Sequence, residues 1–199
     1  MATRPSIPNR SSTNKTSVPP LQSTPTTLLS ASATLTGSFP ITLGANSIIQ
    51  IRTHLSSTHG FLTIGEACII SERSSIGLLS PPYESSDNSL QPAVAGTTLG
   101  PAVLVESGAV VEATSVGPYT IIESGARIGK GAKVGAGCKI CAGVEIGEGS
   151  VVENGMVVWG NGWGERRREG RGKAMDPLVM RKVWPGETLE VLRKGWTGK

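Results

Sequence analysis

Aromatic residues are scarce in this sequence. Two phenylalanines, two tyrosines and four tryptophans make up 4% of its 199 residues, against 26 glycines. A composition so poor in large aromatic side chains and so rich in glycine favours a repetitive sheet core over an ordinary globular one. No stretch approaches the roughly 20 apolar residues that a membrane-spanning helix requires, and no secretory signal pattern is present. We therefore expect no membrane insertion.

Cysteine and histidine are also few. Three cysteines, an odd number, disfavour a disulfide framework and indicate a reducing compartment such as the cytoplasm. The two histidines, His54 and His59, are too few for a metal site with three histidine ligands, and we interpret both as solvated loop residues. We accordingly predict no metal, no cofactor and no catalytic residue.

Acidic residues are absent from the first 40 positions, and the net charge of +4 is divided unevenly along the chain. Residues 41–160 carry six basic and ten acidic residues, whereas residues 161–199 carry ten basic and five acidic ones. The central region is thus mildly acidic and the basic charge lies in the tails. This distribution disfavours nucleic-acid binding by the folded body of the protein.

What the sequence does contain is a hexapeptide repeat. Between residues 116 and 158 an aliphatic residue returns at every sixth position, and glycine usually follows three positions later. This spacing predicts a parallel β-helix, a solenoid of stacked coils, with the glycines at sharp turns. We predict that the repeating aliphatic residues form the structural core: Val116, Ile122, Ile128, Val134, Ile140, Ile146, Val152 and Val158.

The alternation of side chains along a strand assigns the other hexad positions. The small residue two places before each aliphatic residue shares its inward face, and the residue between them points outward. Four of these outward residues are charged, namely Arg127, Lys133, Lys139 and Glu145. An α-helix would require apolar spacings of three and four and would lose about 1 kcal/mol at each glycine, so we exclude it.

The repeat also predicts where the domains begin and end. Residues 1–34 are rich in Ser, Thr and Pro without a hydrophobic period, and we predict that they are disordered. The β-helix is expected to span residues 35–159, with a Pro-rich loop inserted at 78–97. A Gly/Arg-rich linker is predicted at 160–175. The last segment, 176–199, begins with a helix N-cap pattern and is predicted to form a C-terminal α-helical tail.

The hexads resemble those of the left-handed β-helix family, in which three hexads form one triangular coil. With this coil length, and one residue fewer across a shortened turn before Val116, four outward residues align on one flat side: Leu104, Ile121, Lys139 and Val157. An exposed apolar stripe usually marks a docking surface. We predict that the C-terminal helix packs on this face through Leu189 and Leu192.

Two short motifs suggest chemistry that the repeat already explains. Cys138 and Cys141 match the C-x-x-C pattern, but Cys138 occupies a small inward hexad position and no second cysteine pair follows. The glycine run at 160–164 lacks the Lys-Ser/Thr that completes a phosphate-binding loop. We interpret the arginines after it as a solvated linker or a patch for an acidic protein surface, with contact to RNA as the alternative.

The order of these features resembles that of the dynactin subunit 6 family, hexapeptide proteins of the dynactin pointed end. The shared features are IGEACII at 64–70, the Pro-rich loop at 78–97, the shortened turn at 111–117, the in-phase hexads, and an apolar segment with a basic end at 178–194. The resemblance implies a non-enzymatic structural subunit of dynactin that supports dynein-driven transport and cargo attachment. It implies dynactin subunit 5, the p62-type subunit and the pointed-end actin-related protein as partners, and a cytoplasmic, microtubule-associated location.

Two other functions stay open. The wider hexapeptide superfamily includes homotrimeric acyltransferases and carbonic anhydrases, which depend on a histidine base or on three metal ligands. A β-helical binding module without known partners is the other possibility. Bound zinc or acetyl-CoA turnover in a free trimer would favour the enzyme, whereas co-purification with actin-related protein would favour the dynactin subunit.

Overall fold

The computed structural model describes residues 18–79, 96–160 and 164–167. These residues form short β-strands in three sheets, and this part of the chain contains no α-helix. Apart from the last two strands, which share a sheet, consecutive strands belong to consecutive sheets, so the backbone winds as a triangular solenoid. The predicted left-handed parallel β-helix of hexapeptide repeats is confirmed. Within the same ranges, no helix is long and apolar enough to cross a membrane.

The sheets are numbered in the order in which the chain first enters them. The first contains β1 (Leu21–Ser23), β4 (Ile41–Leu43), β7 (Leu62–Ile64), β10 (Thr97–Leu99), β13 (Ser115–Val116), β16 (Lys133–Val134) and β19 (Val151–Val152). The second contains β2 (Leu28–Leu29), β5 (Ile48–Ile49), β8 (Ile69–Ile70), β11 (Leu104–Val105), β14 (Ile121–Ile122), β17 (Lys139–Ile140), β20 (Met156–Trp159) and β21 (Gly164–Arg167). The third contains β3 (Thr34–Gly37), β6 (His54–Ser57), β9 (Ser75–Ile76), β12 (Val110–Val111), β15 (Arg127–Ile128) and β18 (Glu145–Ile146).

The β-helix begins earlier than the sequence predicted. Strands β1, β2 and β3 pair in parallel with β4, β5 and β6, so residues 21–34 belong to the first coil and the prediction of disorder there is wrong. The second coil supplies backbone partners that a Ser- and Thr-rich segment lacks on its own. Thr27, for example, donates its hydroxyl to the Gly44 carbonyl at 3.0 Å. Residues 1–17 lie outside the described residues.

The described residues include only part of the other predicted domain boundaries. Strand β21 lies within the predicted linker at 160–175 and pairs antiparallel with β20, so residues 164–167 extend the second sheet. The backbone of a Gly/Arg-rich segment can add to a sheet because the edge of β20 offers unpaired backbone groups, whatever the side chains. Most of the loop at 78–97 and all of the predicted helical tail at 176–199 lie outside the described residues.

The interior is filled by the hexad aliphatic residues. All eight residues predicted for the structural core are buried, with exposed fractions between 0 and 5%. The less regular N-terminal coils follow the same plan, because Leu43, Ile49, Leu55, Ile64 and Ile70 are also 0 or 1% exposed. Aliphatic side chains therefore form one continuous column along the solenoid axis.

Small polar side chains at the inner corners bind the next coil. Ser47 donates its hydroxyl to the Gly65 carbonyl at 2.7 Å, and Thr120 donates to the Gly135 carbonyl at 2.9 Å. At the following corner Ser74 donates to the carbonyl of Glu106 at 3.0 Å. A buried hydroxyl is stabilising only when it finds such a partner. These hydrogen bonds explain why serine and threonine replace alanine inside the solenoid.

Glycines occupy two kinds of position. One kind has a positive φ and open space around the site of a Cβ atom, as at Gly125 (φ 68) and Gly143 (φ 67). The other kind follows five of the seven strands of the first sheet, where a Cβ atom would lie 2.4 to 2.8 Å from the backbone of the next coil; these are Gly44, Gly65, Gly100, Gly117 and Gly135. The first kind is required by backbone conformation and the second by the close approach of two coils.

These two requirements predict different costs for an added methyl group. Gly143→Ala places Cβ in open space and should cost about 1 kcal/mol, the penalty of the left-handed conformation. Gly117→Ala drives Cβ to 2.4 Å from the Ala136 nitrogen, so the coils must separate and the cost should reach about 3 kcal/mol. Urea unfolding of both variants measures the difference. Equal midpoints would contradict the close-approach explanation.

Candidate active site

His54 lies on the outer face of the third sheet. Strand β6 alternates, so that His54 and Ser56 point outward while Leu55 and Ser57 are buried inside. In the sheet, His54 lies in register between Thr34 of β3 and Ser75 of β9. The prediction that His54 is a loop residue is therefore wrong, whereas His59 does lie in the bend that follows the strand. The hexad phase is lost in this longer coil, which is why the sequence misplaced His54.

A threonine from the preceding coil holds the imidazole. The Nε2 atom of half-buried His54 lies 2.8 Å from Thr36 Oγ1. When Nε2 carries the proton, it donates to this hydroxyl oxygen and the lone pair of Nδ1 is left to accept another proton. The pair thus fixes the ring and presents one basic nitrogen.

The backbone around this pair is tightly constrained. Gly37 and Gly77 lie on either side of β6 with φ values of 119 and 107°, and a Cβ atom on either would come within 2.2 Å of the Ser57 or Ser56 backbone. Ser57 donates its hydroxyl to the Thr36 carbonyl at 3.2 Å. The strand that carries His54 and the strand that carries Thr36 are consequently fixed relative to each other, as a preorganised site requires.

Ser56 lies beside His54 on the same outward face, yet it is buried. Its hydroxyl donates to the Leu78 carbonyl at 3.2 Å, because the chain that leaves β9 crosses over it. One edge of the histidine site is therefore closed by residues 77–79. In the described ranges no group of three or more His, Cys, Asp or Glu side chains is placed to hold a metal ion.

Two of the three cysteines, Cys138 of the C-x-x-C motif and Cys68, occupy structural positions. Cys138 is buried at an inner corner, and its thiol donates to the Glu153 carbonyl at 3.0 Å. Cys68 occupies the same corner three coils earlier and donates to the Gly100 carbonyl at 3.1 Å. Burial raises the pKa of the Cys68 thiol to about 11, and it raises the pKa of Cys138 as well. Neither thiol is suited to act as a nucleophile.

This arrangement predicts selective alkylation. At pH 8 we expect iodoacetamide to modify half-buried Cys141 but not Cys68, because the thiolate form of Cys68 is scarce and its sulfur is fully buried. Mass spectrometry of the digested protein gives the extent of modification at each site. Alkylation in urea serves as the control, since all three thiols should then react. Equal rates at Cys68 and Cys141 in the folded protein would contradict the assignment.

The four residues of the predicted contact face align as the sequence indicated. Leu104 lies opposite Ile121, Ile121 opposite Lys139, and Lys139 opposite Val157 in the second sheet. The column continues upward through Ile69 and Ile48. Lys139 interrupts the apolar column, and its Nζ atom forms an ion pair with Glu123 Oε1 at 2.7 Å. This ion pair lowers the pKa of Glu123.

The upper part of this column is covered. Ile48 and Ile69 point outward but are only 5 and 7% exposed. The outward residues of the same two coils on the first sheet, Thr42 and Thr63, are half-buried. Leu189 and Leu192, the predicted partners, lie outside the described residues, so the packing of the tail stays a prediction. Strand β21, which precedes the tail in the chain, pairs with β20 at the Val157 end of this face.

Hydrogen exchange tests the packing of the tail. Deletion of residues 176–199 should increase amide exchange around Ile121 and Val157, because their cover is removed. Exchange around Arg127, on the third sheet, should not change and serves as the internal control. Unchanged protection at Ile121 in the truncated protein would rule out docking of the tail on this face.

Comparisons with known proteins give related folds. Residues 119–158 match the bacterial transferase hexapeptide family, described as six repeats, and no curated protein matches the chain significantly. The chain is similar to a hexapeptide transferase family protein from Anaplasma phagocytophilum, with 16% identity and a TM-score of 0.67 over 90% of this chain and 96% of that one. A Bacillus cereus protein assigned as an acetyltransferase has 14% identity and a TM-score of 0.65 over 87% and 95%. At these identities the likeness establishes the fold.

The comparisons correct the predicted function. The prediction of a non-enzymatic dynactin subunit is wrong, because the matching family is a transferase family and the solved structures that share most of the fold are named as transferases. The alternative that the sequence left open, a hexapeptide-repeat enzyme, is favoured instead. Hexapeptide repeats also define the matching transferase family, so they could not distinguish a dynactin subunit from an enzyme.

Proposed function

We propose that the protein is an acyltransferase that uses His54 as its general base. The observation that carries this proposal is the half-buried imidazole on the outer wall of the third sheet, held by Thr36 at 2.8 Å. The match of residues 119–158 to the transferase family and the fold shared with named transferases support it. The acceptor is a compound with a hydroxyl or amino group, and the donor is an acyl thioester such as acetyl-CoA.

One imidazole is sufficient for this reaction. The Nδ1 atom of His54 takes the proton from the acceptor as its oxygen or nitrogen attacks the thioester carbonyl. The bond from the acceptor to the acyl carbon forms and the carbon–sulfur bond breaks. The departing thiolate then receives the proton from the imidazolium, which restores the neutral ring. Thr36 contributes by holding Nε2, so that Nδ1 faces the acceptor.

A reaction of the carbonic anhydrase type has less support. It requires three metal ligands, and the described ranges bring no such group of side chains together within one chain. Acyl transfer requires only the single base that the third sheet presents.

Steady-state kinetics test the role of His54. Release of the free CoA thiol from acetyl-CoA should be measured with a panel of primary amines and sugars as acceptors. We expect His54→Asn to lower kcat/KM by about 10²- to 10⁴-fold, the usual contribution of a general base. His59→Asn is the matched control and should leave kcat/KM unchanged. Thr36→Val should reduce the rate by less than His54→Asn, while Thr36→Ser should retain it.

Two outcomes would refute the proposal. One is full activity of His54→Asn, and the other is the absence of thiol release by the wild-type protein with every acceptor of the panel. Thermal unfolding of each variant separates loss of chemistry from loss of fold, because an outward histidine contributes little to the buried core. We expect His54→Asn to unfold within a few degrees of the wild-type protein.

A further inference from the structure

Two arginines are stacked at the corner where the chain enters the third sheet. Arg52 precedes His54 by two residues, and Arg73 precedes Ser75 by two residues. Because His54 and Ser75 are paired in register, the two arginines occupy the same corner of successive coils. Both are exposed, and neighbouring strands of a sheet lie about 4.8 Å apart.

The backbone at this corner does not require arginine. Arg52 and Arg73 adopt left-handed conformations, with φ values of 55 and 58°. In the later coils the same turn is made by glycines, with φ values between 67 and 71°, at Gly108, Gly125 and Gly143. Glycine adopts this conformation without the penalty of about 1 to 2 kcal/mol that other residues incur. The turn itself therefore does not call for a charged side chain at either position.

Two positive charges lie one coil apart at this corner. Like charges on neighbouring strands repel one another. Among residues 18–79 and 96–160, no carboxylate lies within 4.0 Å of either guanidinium, although Glu72 is adjacent to Arg73 in the chain. Arg127, by contrast, lies directly opposite Glu145 on the same sheet. An anion between Arg52 and Arg73 would remove their repulsion.

The corner is close to the histidine site. Two residues of extended chain span at most about 7 Å, so the Cα atoms of Arg52 and His54 are no further apart than this. A guanidinium presents a planar fork of N–H donors that matches the oxygens of a phosphate group better than a lysine ammonium does. Two such forks, one coil apart, can hold one phosphate group while another part of the same molecule reaches the imidazole.

We propose that Arg52 and Arg73 bind a phosphate group of the substrate that reacts at His54, an inference that rests on the proposed function. The phosphate has two possible sources. It belongs either to the acyl donor, since CoA carries phosphate groups, or to a phosphorylated acceptor. The shared chemistry is the same, and the two sources can be separated with ligands that differ only in their phosphate groups.

Binding measurements test the proposal without requiring turnover. Isothermal titration should compare CoA with pantetheine, which lacks the phosphates, and glucose 6-phosphate with glucose. The proteins are wild type, the double variant Arg52→Gln/Arg73→Gln, and the control Arg127→Gln. We expect the double variant to lose at least about tenfold in affinity for one phosphorylated ligand, as loss of charged hydrogen bonds implies. The control should bind as wild type does, and the double variant should bind the phosphate-free ligands unchanged.

Each result has a defined meaning. A loss confined to CoA assigns the phosphate to the donor, and a loss confined to glucose 6-phosphate assigns it to the acceptor. If the wild-type protein binds neither phosphorylated ligand more tightly than the double variant does, the proposal is refuted. The wild-type protein distinguishes the two proposals, because phosphate binding through the arginines without acyl transfer to any acceptor of the panel would refute only the proposed function. Thermal unfolding confirms that the double variant is folded.

Discussion

The structure depends on the hydrogen-bond ladder between successive coils. Each coil donates and accepts backbone hydrogen bonds with the coils above and below, which sets their separation at about 4.8 Å along three sheets at once. A separation fixed on three sides leaves no room for adjustment at the corners. Gly117 must therefore lack a Cβ atom, and Thr120 can reach the Gly135 carbonyl of the next coil. The separation of the coils therefore determines which side chains fit at these corners.

The same ladder determines where chemistry can occur. In regular coils, such as that from Arg127 to Glu145, a strand of two residues presents one outward side chain to solvent. Strands β3 and β6 have four residues each, so they present two outward positions and allow a diagonal contact such as Thr36 to His54. The longer N-terminal coils consequently carry the candidate site, while the in-phase block from Val116 onward supplies a rigid support.

The regular part of the fold could be predicted from the sequence, and the irregular part could not. The strict six-residue spacing predicted which residues form the buried core. The coil length predicted the column from Leu104 to Val157, including the coil that is one residue shorter. The first coil was missed because residues 21–34 contain only three large aliphatic residues, Leu21, Leu28 and Leu29, and backbone pairing with β4 and β5 leaves no mark on composition. The His54 contact was missed because residues 18 apart meet only when the exact register of an irregular coil is known.

Strained backbone turns are also distributed unevenly along the solenoid. Left-handed turns from Gly125 onward use glycine, whereas six such turns between residues 46 and 119 use other residues with φ values between 53 and 58°: Asn46, Arg52, Ala67, Arg73, Ala102 and Tyr119. Each of these costs stability that a glycine would not. The in-phase hexads bury aliphatic side chains in every coil and can offset that cost. Such an excess of stability in one part of a fold allows another part to keep strained or polar residues that serve binding and catalysis. Arg52, Arg73 and His54 all lie in the part of the solenoid that contains the strained turns, which agrees with a role in binding and catalysis.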